Sequence, residues 1–447
     1  MIAFQEIISN IYFWVFASCL FGFLLSIRMY PVIIYTVRAK NLMDEPGDRK
    51  IHAAKTPALG GVGLFASFTL SLILSGVSIG LNRPDLIRLL SILAATMILL
   101  FLGMKDDLIA ISPKKKLLGQ LIAAAIVIFV SDVRISSLEG LLGIGELPYT
   151  FSVMFTIFVF VLVVNSYNLI DGIDGLAGSI ALLASVLFGT FFLLNENYLM
   201  AVVSFILIGT VIGFLKYNLS DTRKLFMGDS GSLFLGFLLA FQGISFLSLN
   251  GTSEAIINVK NAPILLLTVL SFPLLDTLRV FMIRAKEGRS PFSPDRNHIH
   301  HRLLDLGLSH KQSTLFITLS NLVLVGLTFL ISDLNINIQL VLCIVLGIIL
   351  YLSPFLKMFE KSKVVNSVNG NLEIVQKTTE IIKLNDAFDK PITSVTNKNE
   401  PVEMENEGVM FKGSNAVKPI HSTIRKSIRN KKLQNEKRTK KKVLHSK

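Results

Sequence analysis

Long apolar stretches alternate with short polar segments from the N-terminus to about residue 356. Each stretch approaches the roughly 20 residues that a helix needs to cross the hydrocarbon core of a bilayer. The fold class that this pattern predicts is all-α, a polytopic integral membrane protein. Eleven spans are expected, at about residues 9–36, 59–80, 88–105, 117–131, 151–168, 175–194, 198–217, 230–249, 261–283, 313–332 and 336–356. The first stretch lacks a basic flank and a clear cleavage site, so we interpret it as a retained span.

Basic residues are divided unevenly between the two sets of loops that join these spans. One set contains most of the Lys and Arg, whereas the alternate loops contain only Arg83, Arg88, Arg134 and Lys260. Basic loops normally stay on the cytoplasmic side of a membrane. We therefore expect the N-terminus outside, the C-terminus in the cytoplasm and the basic loops on the cytoplasmic face, as an odd number of spans requires.

Composition agrees with a membrane protein and divides the chain in two. Hydrophobic residues make up 51% of the 447 residues and charged residues only 17%, against about a quarter in soluble domains. Residues 1–356 form the expected multispan domain. Residues 357–447 are polar with few aromatics, so we expect a largely disordered cytoplasmic tail that is basic at its end. That end is either simply solvated or attracted to anionic lipid, and it lacks the interleaved aromatics typical of nucleic-acid binding.

Acidic residues gather where the predicted spans end, and acids at such positions usually line a site or a cavity. Asp106 and Asp107 follow the third span, close to a run of three lysines that ends at Lys116. An adjacent pair of carboxylates can bind a divalent cation or act as a base, although a solvated, salt-bridged loop explains the same pattern.

Two glycine-rich motifs carry the remaining acids. In NSYNLIDGIDGLAG, Asn168, Asp171 and Asp174 are spaced by three and would fan across one side of a helix. In FMGDSGS, Asp229 stands where the eighth span begins, as a ligand or as an ordinary helix cap. Asn168, Asp229 and water would make a hard oxygen set that suits Mg²⁺.

The largest cytoplasmic loop ends in a dense group of donors formed by His298, His300, His301 and Arg302. Zinc binding is one interpretation, but no Cys or dedicated carboxylate partner accompanies the histidines, and anion binding fits better. Asp276 and Arg279, within the ninth span, form either an internal ion pair or part of a substrate site. Taken by itself, the first loop, which contains Lys55, is equally a topology anchor.

Together these loops provide acidic side chains that could bind a metal and basic side chains that could bind phosphates, at the expected depth of the lipid headgroups. Such an arrangement favours transfer between a soluble nucleotide-linked phosphate and a lipid-borne acceptor, since phosphoryl chemistry needs mainly positioning and charge neutralisation. A secondary transporter is the alternative, but no internal repeat is evident and the acids lie at one face rather than at the midplane. An envelope-assembly scaffold acting through the tail could coexist with catalysis.

Six ordered strings, NLMDEPGDRKIHAAKTPALGG, DDLIAISPKKKLLGQ, NLIDGIDGLAG, FMGDSGSLFLG, PLLDTLRV and SPFSPDRNHIHHRLLDLG, resemble the polyprenyl-phosphate N-acetylhexosamine-1-phosphate transferase superfamily. The resemblance covers about residues 1–356 and is greatest to the bacterial branch that places GlcNAc-1-phosphate on undecaprenyl phosphate. It implies a multi-pass protein of the bacterial inner membrane that uses a UDP-sugar, undecaprenyl phosphate and Mg²⁺. It leaves open the aminosugar, the polymer primed and whether the protein is a homodimer.

The resemblance also implies roles for individual residues. Asn168 and Asp229 match the positions that hold Mg²⁺, and Asp106 and Asp107 match an acidic pair of which one activates the lipid phosphate. Substrate binding is implied for a third set of positions, with the uracil contact at Asp174 and the sugar-diphosphate side at the histidines. This set comprises Lys55, Lys116, Asp171, Asp174, His298, His300, His301 and Arg302.

Overall fold

Membrane-length helices make up most of the computed structural model, which describes residues 10–40, 59–289 and 298–354 together with the backbone of residues 43–44 and 56–57. The first six helices are α1 (Ile11–Ala39), α2 (Gly60–Ile79), α3 (Arg83–Leu108), α4 (Pro113–Ser131), α5 (Tyr149–Ile170) and α6 (Leu176–Leu194). The rest are α7 (Tyr198–Asn218), α8 (Gly228–Asn250), α9 (Ala262–Val269), α10 (Ser271–Lys286), α11 (Ile299–Asp305), α12 (His310–Leu330) and α13 (Ile336–Pro354).

Extended structure is minor in the described residues. Two short strands, β1 (Met43–Asp44) and β2 (Thr56–Pro57), pair antiparallel between α1 and α2. A single 3₁₀ turn at Leu141–Gly143 interrupts the loop between α4 and α5. The all-α fold class is confirmed, whereas the predicted tail at residues 357–447 lies outside the described residues.

The predicted spans all coincide with helices, to within a few residues. In the described part of the chain, nine helices are long and apolar enough to cross a membrane, and α9 with α10 make a tenth if the bent pair is one span. The one predicted span that this count leaves out is α4, whose 19 residues include three lysines in the first turn. The number of crossings and their orientation stay predictions.

The ninth span is not the continuous helix that its hydrophobicity predicts, because α9 and α10 meet at an angle of 68°. Pro273 has no N–H to donate to the carbonyl of Val269, and its ring crowds that carbonyl. The freed oxygen accepts a hydrogen bond from Nδ2 of Asn321 at 2.8 Å, and Oδ1 of Asn321 lies 2.8 Å from the Ser271 hydroxyl. One asparagine of α12 therefore satisfies the polar groups on both sides of the break.

Helix α8 lies at the centre of the bundle, with nearly every side chain from Ser230 to Leu247 buried. Helices α3 and α5 pack along it, while α1 packs mainly on α7 at the periphery. Peripheral helices leave large apolar side chains exposed, such as Phe16 at 56% and Phe101 at 57%. An apolar exterior of this kind is expected for helices that face lipid.

Glycines bring α2 and α3 into backbone contact with the start of α8. The amide of Gly61 donates to the Met227 carbonyl at 2.9 Å, and a Cβ on Gly61 would lie only 2.1 Å from the Gly231 nitrogen. A Cβ on Gly103 of α3 would lie 2.4 Å from the Ser230 Cα. Only residues without side chains permit this approach, which gathers three helix ends around Asp229.

Candidate active site

The ammonium group of Lys116, in the first turn of α4, lies among three oxygens from three other helices. Its Nζ is 2.9 Å from Oδ2 of Asp106, 3.1 Å from Oδ1 of Asp229 and 3.2 Å from Oδ1 of Asn168. We refer to these four residues as the Lys116 cluster. All four were predicted as site residues from sequence, and the structure brings them together at one end of the bundle.

The two adjacent carboxylates after the third span have different partners. Asp106 accepts a hydrogen bond from the Ile111 amide at 2.9 Å and pairs with Lys116. Asp107 instead accepts from the backbone amides of Asp229 at 2.6 Å and Ser230 at 3.1 Å. Asp107 therefore caps the N-terminus of α8 from another helix, where a negative charge is favoured and the first amides lack partners within the helix.

Asn168 occupies the last turn of α5 and is oriented by α8. Its Nδ2 donates to Oδ1 of Asp229 and, at 2.7 Å, to the hydroxyl of Ser232. With the amide nitrogen engaged in this way, Oδ1 faces Lys116. One turn earlier, Asn165 exchanges two hydrogen bonds with Gln120 of α4, at 2.7 and 3.2 Å. This amide pair fixes α4 against α5 beside the Lys116 cluster.

The oxygens around Lys116 could hold a divalent cation. Each lies within 3.2 Å of one nitrogen atom, so the set already surrounds a point that carries positive charge. Carboxylate and amide oxygens are the donors that Mg²⁺ prefers, usually with waters and substrate phosphates completing its shell. Within the described ranges, no three His, Cys, Asp or Glu side chains are arranged to hold a metal by themselves.

Asp171 lies in the turn between α5 and α6, half-buried, and has no hydrogen bond or ion pair with any described residue. Burial raises the pKa of its carboxyl to about 8, with further upward contributions from the negative charges of Asp229, Asp107 and Asp174. A cation entering beside these acids would favour the ionised form of Asp171.

Asp174 forms a second polar cluster, at the start of α6. Its Oδ2 accepts from Lys224 at 2.6 Å and lies 2.7 Å from Nδ1 of His310, while its carbonyl accepts from Thr314. Burial opposes ionisation, but the hydrogen bonds from His310 and Lys224 outweigh it and lower the pKa of Asp174. No local pattern predicted a role for His310, because it lies outside the histidine motif and contacts Asp174 only through tertiary packing.

Replacing Lys224 with Met should lower the thermal midpoint at pH 7 by about 2–4 °C, as expected for about 1 kcal/mol in a large domain. The folded pKa of Asp174 is lowered, so its ionisation stabilises the fold above the unfolded value of about 3.9. That contribution disappears as the pH falls through the lowered folded pKa. The difference between variant and wild type, measured by thermal unfolding in detergent, should therefore vanish at low pH.

Lys260→Met is the matched control for this measurement. Lys260 pairs with Asp333 at the same 2.6 Å, but both side chains are largely exposed, at 72% and 84%, against 30% and 12% for Lys224 and Asp174. Exposed pairs contribute little to stability. An equal loss for both variants would mean that burial does not strengthen the Asp174 pair.

The histidine motif is anchored to α10 by Asp276. Oδ2 of Asp276 lies 2.7 Å from Nδ1 of His298, and Oδ1 accepts from the Ile299 amide at 2.8 Å and the Tyr351 hydroxyl at 2.7 Å. Asp276 thus positions His298 and the first residue of α11, a role that neither of the two interpretations from sequence anticipated.

His300 and His301 lie in the first turn of α11, and the side chain of His300 contacts the turn that contains Asp171. A Cβ on Gly172 would lie 2.1 Å from Nε2 of His300, so Gly172 makes room for the buried imidazole. Burial, followed by the neighbouring His301, lowers the pKa of His300 to about 3 and keeps it neutral. The ring centroids of His300 and His301 are 4.4 Å apart.

Two further residues were predicted to bind substrate. Arg302 lies 3.6 Å from Asp305 within α11. Lys55 lies outside the described residues, so its prediction stays open. The other predicted residues fall into four groups: the Lys116 cluster with Asp107, the Asp171 turn with His300 and the neighbouring His301, the Asp174 pair, and His298 with Asp276. The substrate roles predicted for these residues also stay predictions.

Known proteins match the part of the chain that contains these groups. The family model described as glycosyl transferase family 4 matches residues 89–247, which include Asp106 to Asp229. A decaprenyl-phosphate N-acetylglucosaminephosphotransferase of Mycobacterium leprae is 32% identical over 295 residues, covering 61% of this chain and 73% of the relative. A probable undecaprenyl-phosphate N-acetylglucosaminyl 1-phosphate transferase of Bacillus subtilis is 30% identical over 315 residues, covering 69% and 81%.

A bacterial relative of lower identity has the same kind of described activity as these two proteins. An undecaprenyl-phosphate alpha-N-acetylglucosaminyl 1-phosphate transferase of Salmonella typhi is 28% identical over 312 residues, or 68% of this chain and 81% of its own length. The matches extend well beyond the short motifs and, in these relatives, span most of the protein. The chain therefore belongs to glycosyl transferase family 4, among the membrane-bound polyprenyl-phosphate sugar-1-phosphate transferases.

Proposed function

We propose that the protein transfers GlcNAc-1-phosphate from UDP-GlcNAc to undecaprenyl phosphate, with Mg²⁺ as cofactor and UMP as the second product. The observation that carries the proposal is the convergence of Asp106, Asn168 and Asp229 on one point, 2.9–3.2 Å from a single cationic nitrogen. The names of the relatives support the sugar and the polyprenyl phosphate acceptor.

Asn168 and Asp229 are the proposed metal ligands. Bound there, Mg²⁺ would neutralise the diphosphate of the donor and so favour departure of UMP. Because Asn168 is oriented by Ser232 and Asp229 is fixed at the first turn of α8, the protein holds these two side chains side by side. Waters and substrate phosphates would supply the remaining ligands.

Asp106 and Asp107 have different roles in the proposed mechanism. Asp107 holds the first amides of α8 and is a positioning residue for Asp229. Asp106, which shares Lys116 with the proposed metal ligands, is the carboxylate placed to orient the lipid phosphate or to accept its last proton. The acceptor phosphate then attacks the β-phosphorus of the donor, forming the new P–O bond as the bond to UMP breaks.

The orientation of the protein follows from the same chemistry. The Lys116 cluster lies at the ends of α3, α4, α5 and α8, and the predicted topology would put these helix ends where a lipid headgroup meets a soluble donor. We propose that this face lies on the cytoplasmic side of a bacterial inner membrane, because basic loops normally stay on that side. A secondary transporter is not favoured, since the relatives are sugar-phosphate transferases.

A reconstituted assay tests this function. Protein purified in detergent, given undecaprenyl phosphate and UDP-GlcNAc, should release UMP and form a lipid-linked GlcNAc phosphate in equal amounts. Chelation by EDTA should stop both products, and Mg²⁺ should restore them. Release only with another UDP-aminosugar would correct the donor. No UMP from any UDP-sugar, with folded protein and added Mg²⁺, would contradict the proposal.

A further inference from the structure

The position of Lys116 has a consequence for how a metal enters the site. Its side chain is only 16% exposed, and its Nζ lies within hydrogen-bonding distance of both proposed metal ligands, Asn168 and Asp229. A Mg²⁺ ion binds its oxygens at about 2.0–2.1 Å, so an ion held by the same two oxygens that contact Nζ would lie within a few ångströms of the ammonium. Both cations would then compete for the same two oxygens.

The charges in the cluster favour replacement of the Lys116 ammonium by a divalent cation over the binding of both together. Asp106 and Asp229 place two carboxylates around Lys116, and in a half-buried site such charges need compensation. The ammonium supplies one positive charge and a divalent ion would supply two. Like charges a few ångströms apart repel strongly where water is scarce, so the lysine must move as the ion binds.

The contacts of Lys116 also indicate where it can go. Its shortest bond is to Asp106 at 2.9 Å, and Asp106 is the cluster carboxylate that we do not assign to the metal. The flexible four-carbon stem of a lysine allows the ammonium to leave Asn168 and Asp229 while it stays near Asp106. From there it would face the phosphate groups of a bound substrate.

We propose that Lys116 is a tethered counter-ion that occupies the metal position and is displaced towards the substrate phosphates when a divalent cation binds. Lys116 thereby competes with the metal for Asn168 and Asp229, and its release adds a cation where phosphate charge must be neutralised. The phosphate step rests on the proposed function, whereas the competition between lysine and metal does not.

Metal affinity without substrates tests the competition. Mn²⁺ binding, measured by the loss of its free electron paramagnetic resonance signal, should be about tenfold tighter in Lys116→Met than in wild type, since a competing charge is removed. Lys116→Arg keeps the charge and should stay within about twofold of wild type. Lys115→Met removes one exposed lysine from the same turn and should leave the affinity unchanged. Equal or weaker Mn²⁺ binding by Lys116→Met would overturn the proposal.

A second measurement uses the unaltered protein. Acetylation of lysines by a soluble reagent, read by mass spectrometry, should increase several-fold at Lys116 when Mg²⁺ is added, because two of its hydrogen bonds are released. Lys114 and Lys115, both exposed, are the internal references. Unchanged labelling at Lys116 in saturating Mg²⁺ would contradict displacement, even if Lys116→Met does not fold.

Turnover separates this proposal from the proposed function. If the enzyme releases UMP, Lys116→Met should lose at least about 100-fold in rate although it binds the metal more tightly, since its phosphate contact is gone. Full turnover by Lys116→Met would overturn the phosphate step. Tight Mn²⁺ binding by the variant in a protein that never releases UMP would uphold the exchange and contradict the proposed function.

Discussion

Asp229→Ala should lower UMP release by at least about 1,000-fold while the protein still folds. Oδ1 of Asp229 contacts both Lys116 and Asn168, so the substitution removes the oxygen on which the Lys116 cluster converges. Substitution of a residue that only orients a metal ligand typically lowers metal affinity or activity by about 10–100-fold, so loss of a ligand itself should lower activity further. Initial rates of UMP release at saturating Mg²⁺ would measure the effect.

Asp221→Ala is the control for the loss of a nearby acid, because Asp221 lies in the loop that precedes α8. Asp221 is exposed and lies 3.9 Å from Lys311, far from the contacts that define the cluster. Its removal should leave the rate within about twofold of wild type, as is usual for exposed pairs. An Asp229→Ala enzyme that keeps a tenth of the wild-type rate would exclude Asp229 as an essential metal ligand.

Gly61→Ala should abolish activity by pushing α2 away from α8. The new Cβ would lie 2.1 Å from the Gly231 nitrogen and 2.4 Å from the Ser230 carbonyl carbon, both of which are backbone atoms that cannot rotate aside. Overpacking usually costs about 1–3 kcal/mol, and here the displaced segment also carries Asp229. We expect a lower thermal midpoint together with a loss of UMP release of about 100-fold or more.

The matched control is Gly326→Ala in α12. Gly326 is also helical, but a Cβ there would meet no atom within 4 Å, so the substitution should be neutral or slightly stabilising. Thermal unfolding and turnover of the two variants would be compared in one detergent. Normal turnover by Gly61→Ala would show that α8 tolerates a shift at its first turn, against the close contact described.

Sequence patterns predict the candidate site because its polar groups lie at the ends of apolar spans. Asn168, Asp229 and Lys116 could be assigned to one site from their motifs. The different partners of Asp106 and Asp107 could not be predicted from sequence. Adjacent helical residues point in different directions, and the packing of α3 on α8 determines which group each carboxylate contacts.

Other features were either overlooked in the sequence or absent from it. Pro273 marked the break between α9 and α10, but the apolar pattern around it predicted a continuous span. The bond from Asn321 that completes the break, and the approach of His310 to Asp174, join segments far apart along the chain. Local sequence carries no record of such contacts, so these pairings required the tertiary structure.

The cap that Asp107 places on α8 also restricts how the protein can recognise anions. Many proteins hold phosphate on the free amides at a helix start, a rigid arrangement that salt screens only partly. Here the Asp229 and Ser230 amides are already bonded to a carboxylate of the same chain. At this helix start, the phosphate recognition that we propose would therefore fall to lysine, arginine and metal, and the binding of anionic ligands would depend on the ionic composition of the surroundings.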